Sequence, residues 1–553
     1  MKAKILMGSL LLASTTLFSS CSDFLQEDPK GQLISGSYFK TQDELNMALV
    51  TLTKKAQGTQ SFTNMLYPQW QGDDITANPG ANKQACAAMD SFSATDDNKG
   101  VNDAWNRNFT LIKAANYIIK NASKTPTSET EINIALGQAK FWRAYAFFYL
   151  VRIFGPLPLC LDDTNDNYTM TLTNVDGIYA QIVEDLKEAE KLLPATYKEQ
   201  GEPRYMFNVN VFVTQQAVKS TLSAVYMAMA GYPLNKGTEY YKLAAAKAKE
   251  VLDGVNDGTY DHALESEFKN VYSMANNYNK ETILGINSSP FQDWGQDSQF
   301  PLCQLFESLG GWGDAWGELR FWKKYPAGPR KDAIYNKKIR IEGKTAADFK
   351  LVDFWEKRAD GTAYIPEQHP MFCIFTLNSD DAGHTILNQT FDYTKPYNTT
   401  RMTNDHRHRL IRLSEVMLWY AEASARAGET TDLAKKCLKD VRARAVDVAE
   451  ADKVDGISID AMNADQLAKA AYEEHGWEVA GYWLSMVTRR ADQLRMNTLK
   501  DTFAERVADE AVEVANGVFL KEGVKFTKTT WSDDYIYLPY PSKDASQNPN
   551  LKH

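Results

Sequence analysis

Apolar positions along this chain recur mostly at spacings of three and four, the period of an amphipathic helix. From Thr41 to Lys54 acidic and apolar residues alternate at that spacing, and Trp105, Phe109, Ile112, Asn116 and Ile119 mark one face of a second helix. Both are expected before any strand. Thr130 to Phe154 is apolar on nearly every side, through Phe141, Trp142, Tyr145, Phe147, Phe148, Tyr149 and Val151, and stops at Gly155-Pro156-Leu157-Pro158. A helix apolar all round is expected to be buried all round. Arg143 and Arg152 interrupt it too often for a membrane span, which needs about 20 apolar residues. Asp176 to Leu193 follows as an amphipathic helix ended by Pro194.

Val213 to Met229 and Tyr240 to Leu252 read as an Ala-rich helical hairpin broken at Gly231 and Pro233. His408 to Ala427 and Leu433 to Val446 read as another, broken at Gly428. Small residues such as Ala224, Ala228, Ala245 and Ala248 let helix backbones approach, a degenerate tetratricopeptide pattern without the exact period of about 34 residues. Between 265 and 400 the helical period is lost and Trp, Gly, Pro, Asn and Asp accumulate. Thr282 to Ile286 and Met371 to Leu377 read there as brief strands between long loops. Ala464 to Arg490 returns to helix, and Trp531 to Leu538 reads as extended. The expected fold is mainly α, one unit over 41–553. It divides into a helical half at 41–255, a loop-rich variable region at 265–400, and a C-terminal helical hairpin and tail at 401–553.

The first residues change the picture of location. Lys2 and Lys4 precede an apolar run from Ile5 to Leu12, and the small residues Ser19 and Ser20 precede Cys21. This pattern predicts an export signal over 1–20, removed in the mature protein. A thiol directly after the cleavage point predicts lipid acylation of Cys21, with 21–40 as a flexible acidic tether; stable anchoring takes more than one acyl chain. Phe18, with Leu17 before it, stands where such signals usually carry Leu. Removing 1–20 leaves 59 basic against 71 acidic residues, a net charge of −12. That balance argues against nucleic acid as a partner, since phosphate binding needs a basic face. The remaining cysteines, Cys86, Cys160, Cys303, Cys373 and Cys437, are odd in number and widely spaced, so buried thiols are expected rather than disulfides or a zinc ribbon.

Five stretches, in order, resemble the SusD/RagB family of outer-membrane glycan-binding lipoproteins. They are Trp105-Asn106 with Ile112, Ala115, Asn116 and Tyr117; Phe141 to Tyr145 with Phe148, Leu150, Val151, Phe154-Gly155 and Pro158-Leu159; and Asn279 to Ile286. The fourth runs from Arg409 to Ala423 through Arg412, Glu415, Leu418, Tyr420 and Glu422, and the fifth is Tyr537 to Pro541 with Asn548 to Leu551. The chain departs from the family pattern at Glu474-His475, Glu478, Ala480-Gly481, Trp483, Met486 and Arg489, where two charged positions have become Trp and Met. That leaves local charge pairing in question. The resemblance implies four degenerate tetratricopeptide-like hairpins on one side, packed on a SusC-like TonB-dependent transporter, and a loop-rich side that holds an oligosaccharide. It also implies a lipid-anchored protein of the cell surface and outer membrane.

Sugar rings present flat C–H faces, so a glycan site needs aromatic platforms with Asp, Asn and Arg around them. The candidate platform is Phe291, Trp294, Trp312, Trp316, Arg320 and Trp322, in a stretch held open by Gly310, Gly311, Gly313 and Gly317. Trp70, Asp73, Asp74, Asn78 and Asn82 form a second, polar cluster. Asp405, His406 and His408, with His384, lack metal-site spacing and read as a surface loop or helix cap. Structural calcium at Asp380 and Asp381, or at Asp162, Asp163 and Asp166, lacks an ordered ligand loop, and no cofactor is expected. No nucleophile elbow, phosphate loop or dinucleotide loop is present, so a non-enzymatic protein is expected. A tetratricopeptide-type scaffold without its own ligand, and a glycoside hydrolase, stand as alternatives.

Overall fold

Helical period becomes helix through most of the chain. The computed structural model describes residues 38–60, 63–162, 169–288, 300–343, 348–375, 377–379, 385–387 and 406–552. Cys21 and the signal lie outside these residues, as do Phe291, Trp294, Asp163, Asp166, Asp380, Asp381, His384 and Asp405. Helix α1 (Gln42–Gly58) starts at a capping box: the Glu44 N–H donates to Thr41 Oγ1 at 3.2 Å, and the Thr41 N–H to the Glu44 carboxylate at 3.3 Å. Then follow α2 (Lys99–Asn121), α3 (Glu129–Phe154), α4 (Val175–Leu192), α5 (Gln215–Ala230) and α6 (Thr238–Asn256). The C-terminal part adds α7 (Leu413–Arg426), α8 (Asp432–Ala443), α9 (Ala464–Val479), α10 (Arg489–Arg495) and α11 (Leu499–Ala508). From α1 to α6 each helix packs on the next, α6 packs on α7, and α7 also carries α8 and α9. This is the stacked array of helical hairpins that the spaced alanines predict. The Ser223 hydroxyl of α5 reaches the Ala244 carbonyl of α6 at 2.9 Å, an approach that small residues permit.

Helix α3 lies at the centre of the array, and every residue from Phe141 to Phe154 is buried. The two arginines of this buried stretch are hydrogen-bonded inside the protein. Arg143 grips Asp185 of α4 through Nε and Nη2 at 2.8 and 2.7 Å and donates from Nη1 to Asn116 of α2 at 2.9 Å, tying three helices at one point. Arg152 donates to the Phe148 and Met486 carbonyls at 2.8 and 2.9 Å. The helix ends where Gly155 takes φ +72°, a left-handed turn that leaves no room for a side chain beside the Tyr537 ring. No described helix is long and apolar enough to cross a membrane.

Between the helical parts the described strands pair in twos. Strand β1 (Ile75–Ala77) lies antiparallel to β3 (Ala315–Gly317), and β2 (Thr282–Ile286) to β4 (His408–Arg412). Five expectations are corrected here. His408 to Arg412 is strand rather than the start of α7, because its backbone completes the pair with β2. The helix expected from Ala464 to Arg490 ends at Val479, before Gly481 at φ +66°, and resumes at Arg489. Met371 to Leu377 contributes a single bridge, Phe372 to Tyr335, before Leu377 opens a separate short pair, and the tail expected to be extended turns through Asp533–Tyr535. Strand β1 also comes before α2 rather than after it. Under the loop-rich region a second apolar cluster, with Leu302, Phe306, Trp316, Leu319, Ile339, Val352, Phe354 and Met371, lies beside the main core. The five described cysteines are buried and unbridged, as expected.

The departures at Glu474 to Met486 keep their charges paired. Glu478 of α9, fully buried, accepts from Arg330 at 2.8 Å, Arg412 at 2.8 Å and Arg444 at 2.7 Å. Glu281 takes both terminal nitrogens of Arg444, at 2.5 and 2.8 Å. Glu474 meets Arg330 at 2.7 Å and Arg442 at 2.6 Å. His475 donates from Nδ1 to Asp492 at 2.6 Å, and Trp419 Nε1 donates to its Nε2 at 3.1 Å. Trp483 packs on Trp70 at 5.2 Å and on Phe300 at 5.6 Å between ring centroids, inside the core.

Burial alone would raise the Glu478 carboxyl, but Arg444, Arg412 and Arg330 outweigh it and hold it at about 2. Its contribution to stability is therefore complete above its ordinary pKa of 4.5 and is lost as pH falls from there through about 2. Glu478→Gln removes the carboxylate that three buried guanidinium groups share, and we expect it to cost about 3–5 kcal/mol and to flatten that acid limb, read by denaturant unfolding across pH.

Candidate ligand-binding site

The two sequence clusters meet along β1 and β3. Antiparallel pairing sets Ile75 opposite Gly317, Thr76 opposite Trp316 and Ala77 opposite Ala315. The Asn78 N–H continues the ladder to the Asp314 carbonyl at 3.0 Å. Beyond that point the loops 78–83 and 307–314 lie against each other, and this edge is the candidate site.

The edge keeps some of the expected residues and moves others into the core. Trp70 is fully buried, 4.8 Å from the Tyr67 ring. Trp316 is 7 % exposed, because strand alternation turns it into the second cluster against Phe306 and His369. Both belong to the core and not to a platform. Asp73 is committed to Arg489, which donates from Nε and Nη2 at 2.8 and 2.7 Å, and so anchors its segment to α10. Asp74 is buried and accepts the Gly481 N–H at 2.9 Å; burial, then the Asp73 charge, push it up to about 6. Arg320 is tied to Glu318 at 3.2 Å and to the Glu510 carbonyl at 2.9 Å. Trp322 is wedged edge-on against Phe354 at 5.1 Å. None of these presents a free group to a ligand in this arrangement.

What remains at the edge is one half-buried ring and a short polar loop across from it. Trp312 is half-buried where the two apolar clusters meet, held through its N–H donating to the Leu302 carbonyl at 2.7 Å. Asn78 folds its side-chain oxygen onto the Gly80 N–H at 2.8 Å, and Asn82 is exposed beside it. Lys83, Glu307 and Asp314 complete the rim: Lys83 Nζ lies 2.5 Å from Asp314 and 3.8 Å from Glu307. These three were not singled out from sequence, although Lys83 follows Asn82 directly and Asp314 lies inside the glycine-rich stretch. The arrangement offers a half-buried ring, the exposed carboxamide of Asn82 and the half-buried Lys83, with Asn78 and Asp314 buried beneath them; ring, amide and ammonium are groups that stack on and hydrogen-bond to a polyhydroxylated ring.

The histidines expected on a surface loop or helix cap are instead interior. His406 Nε2 meets the Tyr272 carbonyl at 3.0 Å, and His408 Nε2 meets Ser288 Oγ at 3.3 Å. Burial, then Arg409, push His408 down to about 3, so it is neutral in the fold. The β2–β4 pairing draws both inward. Of the acids considered for calcium, Asp162 is described and exposed, with its carbonyl accepting from Asn116 at 2.7 Å. Among the described residues no three His, Cys, Asp or Glu side chains gather as metal ligands.

Comparison with known proteins places the fold. A family described as starch-binding and associating with the outer membrane matches residues 23–227, and the SusD family matches residues 377–553. A SusD-like protein of Bacteroides ovatus is 23 % identical over 100 % of this chain and 97 % of its own length. A SusD homolog from Bacteroides thetaiotaomicron shares the fold at a TM-score of 0.73, with 17 % identity over 94 % of this chain and 97 % of that one. A laminarin-binding SusD-like protein does so at 0.64, with 17 % identity over 92 % of this chain and 98 % of that one.

Trp316→Ala is expected to destabilise the fold by about 3–5 kcal/mol, whereas Trp312→Ala leaves the melting temperature within a few degrees; thermal unfolding of the pair checks the assignment of one to the core and the other to the rim. Asp74→Asn keeps an acceptor for Gly481 and removes a charge whose folded pKa is raised from 3.8 to about 6. Because a raised carboxyl makes the fold lose stability as pH climbs through that interval, the variant should match the parent below it and equal or exceed it above.

Proposed function

Because the chain belongs to the SusD/RagB family, we propose that it captures oligosaccharide at the cell surface and passes it to a SusC-like TonB-dependent transporter in the outer membrane, without cleaving it. Cys21 would carry the lipid that anchors it there. The observation that carries the reading is the half-buried Trp312 on the β1–β3 edge, where the loop 78–83 with exposed Asn82 and half-buried Lys83 is tied to Asp314. A flat ring with an exposed carboxamide suits a pyranose face and its hydroxyls. The likeness of fold to a laminarin-binding protein supports a glycan as ligand.

Hydrolysis is disfavoured by the same rim. A glycosidase needs one carboxyl protonated and its partner free to attack or to activate water. Here Lys83 lies within ion-pair distance of both Asp314 and Glu307. The helical side is suited to protein contact instead: Met47 and Val50 of α1 are 53 % and 54 % exposed. That favours the lid arrangement, in which the helical array meets the transporter.

A glycan-array screen of protein lacking residues 1–21, followed by calorimetry and product analysis on each hit, tests the reading. Binding without cleavage, weakened by about 1–3 kcal/mol in Trp312→Ala, is the expected result. Release of shorter sugars would replace capture with hydrolysis, and absence of any glycan hit with retained transporter association would replace it with a scaffold.

A further inference from the structure

Most of the buried arginines of this protein meet a carboxylate, and Arg407 does not. It is 1 % exposed, and among the described residues its side chain makes one hydrogen bond, from Nη2 to the Asn210 carbonyl at 3.1 Å. Nε and Nη1 have no partner among the described residues. The neighbouring Arg409 spends its terminal nitrogens on the Arg407 and Asn277 carbonyls, at 2.8 and 3.1 Å. Burial, then the Arg409 charge, lower Arg407 to about 10. An uncompensated buried guanidinium is costly. The fold nevertheless makes a seat for it, since any side chain at Gly285 of β2 would come within 2.6 Å of Arg407 Nε.

This cation stands behind a cavity. Asn210, which holds Arg407, lines a recess of about 290 Å³ together with Lys198, Asn208, His262 and Lys280. Arg407 is close enough to help depress His262, after burial itself. Lys280 is paired with Asp261 at 2.6 Å, which leaves Lys198 and Arg407 as the uncompensated charges there. On a chain of net charge −10 this is a local reversal of sign. Beside the recess, Phe207 is 56 % exposed at the tip of a tight hairpin with φ +54°, a conformation a bulky residue adopts only at a cost. Its ring stacks on Tyr278 at 4.1 Å and 22°, and Arg407 lies 5.6 Å from the other ring of that pair, Tyr278. Exposed ring, buried cation and polar recess are thus contiguous.

We propose that this recess is a second ligand site, distinct from the β1–β3 edge, that takes an anionic sugar unit bearing a carboxylate or a sulfate ester. Lys198 faces the anion, with Arg407 adding its charge from behind the Asn210 carbonyl; Asn208 and Asn210 face the hydroxyls, and Phe207 meets the ring from beside the recess. The inference rests on the glycan-binding reading for the sugar but not for the charge, and its test separates the two. Full-length protein in detergent is titrated calorimetrically with trigalacturonate, with a sulfated disaccharide and with a neutral glucan. The expected result is that acidic probes bind, that Lys198→Ala and Phe207→Ala each weaken them about tenfold or more, that added salt weakens them further, and that Trp312→Ala leaves them unchanged. Binding of the sulfated probe alone, or of the uronate alone, assigns the anion. Neutral glucan binding through Trp312 with no acidic binding would overturn this site and leave the capture function standing. Acidic binding that Trp312→Ala removes and Lys198→Ala does not would overturn it as well. Both recess variants are at exposed positions, so the outcome does not depend on whether an Arg407 variant folds.

Discussion

The structure depends on a carboxylate that three arginines share. Glu478 joins Arg330 from the loop-rich region, Arg412 from the end of β4 and Arg444 from beyond α8, and Glu281 and Glu474 extend the same lattice toward β2 and α9. Taking so many charges out of water is expensive, and only near-complete pairing offsets the cost. The lattice therefore acts less as added stability than as a constraint on register. If β4 slipped by one residue, Arg412 would point to the opposite face, and Glu478 would lose one of the groups that neutralise it. The helical array, the β2–β4 pair and the loop-rich region are fixed to one another at this point.

A comparable knot holds the candidate sugar edge. Glu522 accepts from the Leu319 N–H and from Thr76 Oγ1, each at 2.5 Å, and lies 3.1 Å from His369 Nε2. It thereby joins β1, the segment after β3 and the tail. Arg506 of α11 adds bonds to the Gly72 and Ile75 carbonyls and to Asp90. The loops that carry Trp312 and Asn82 thus project from a frame fixed on its inner side, and the edge can stay open without losing its shape.

Sequence made the helical frame legible because a segment such as Phe141 to Phe154, apolar on every side, has few alternatives to a buried helix. The same logic failed for single aromatics. Trp70, Trp312 and Trp316 occupy similar glycine- and polar-rich surroundings in sequence, and only the pairing of Thr76 with Trp316 decides that the last faces inward. Burial of a lone ring is set by which side of a short strand it occupies, and a three-residue strand carries too little alternation to show it. Acidic side chains misled for a related reason. Asp73 and Asp74 look like ligand contacts until their distant partners, Arg489 and Gly481, are in place, and those lie some 400 positions away along the chain. His406 and His408 were unreadable in the same sense, since β4 is recognised only once β2 is beside it.

The order in which the chain can close follows from the ties of the tail. Tyr540 packs on Trp105 at 5.6 Å and donates to the Pro156 carbonyl at 2.7 Å, while the Leu538 N–H donates to the Ile153 carbonyl at 2.8 Å, so the last residues seal the end of the central helix. With Arg506 gripping the carbonyls around β1, the earliest part of the fold is held by the latest part of the sequence. A polypeptide that emerges from a translocation pore amino end first cannot complete this core until nearly all of it has passed through. Topology of this kind delays collapse into the final structure, since contacts between the two ends of the chain must form before the core is closed.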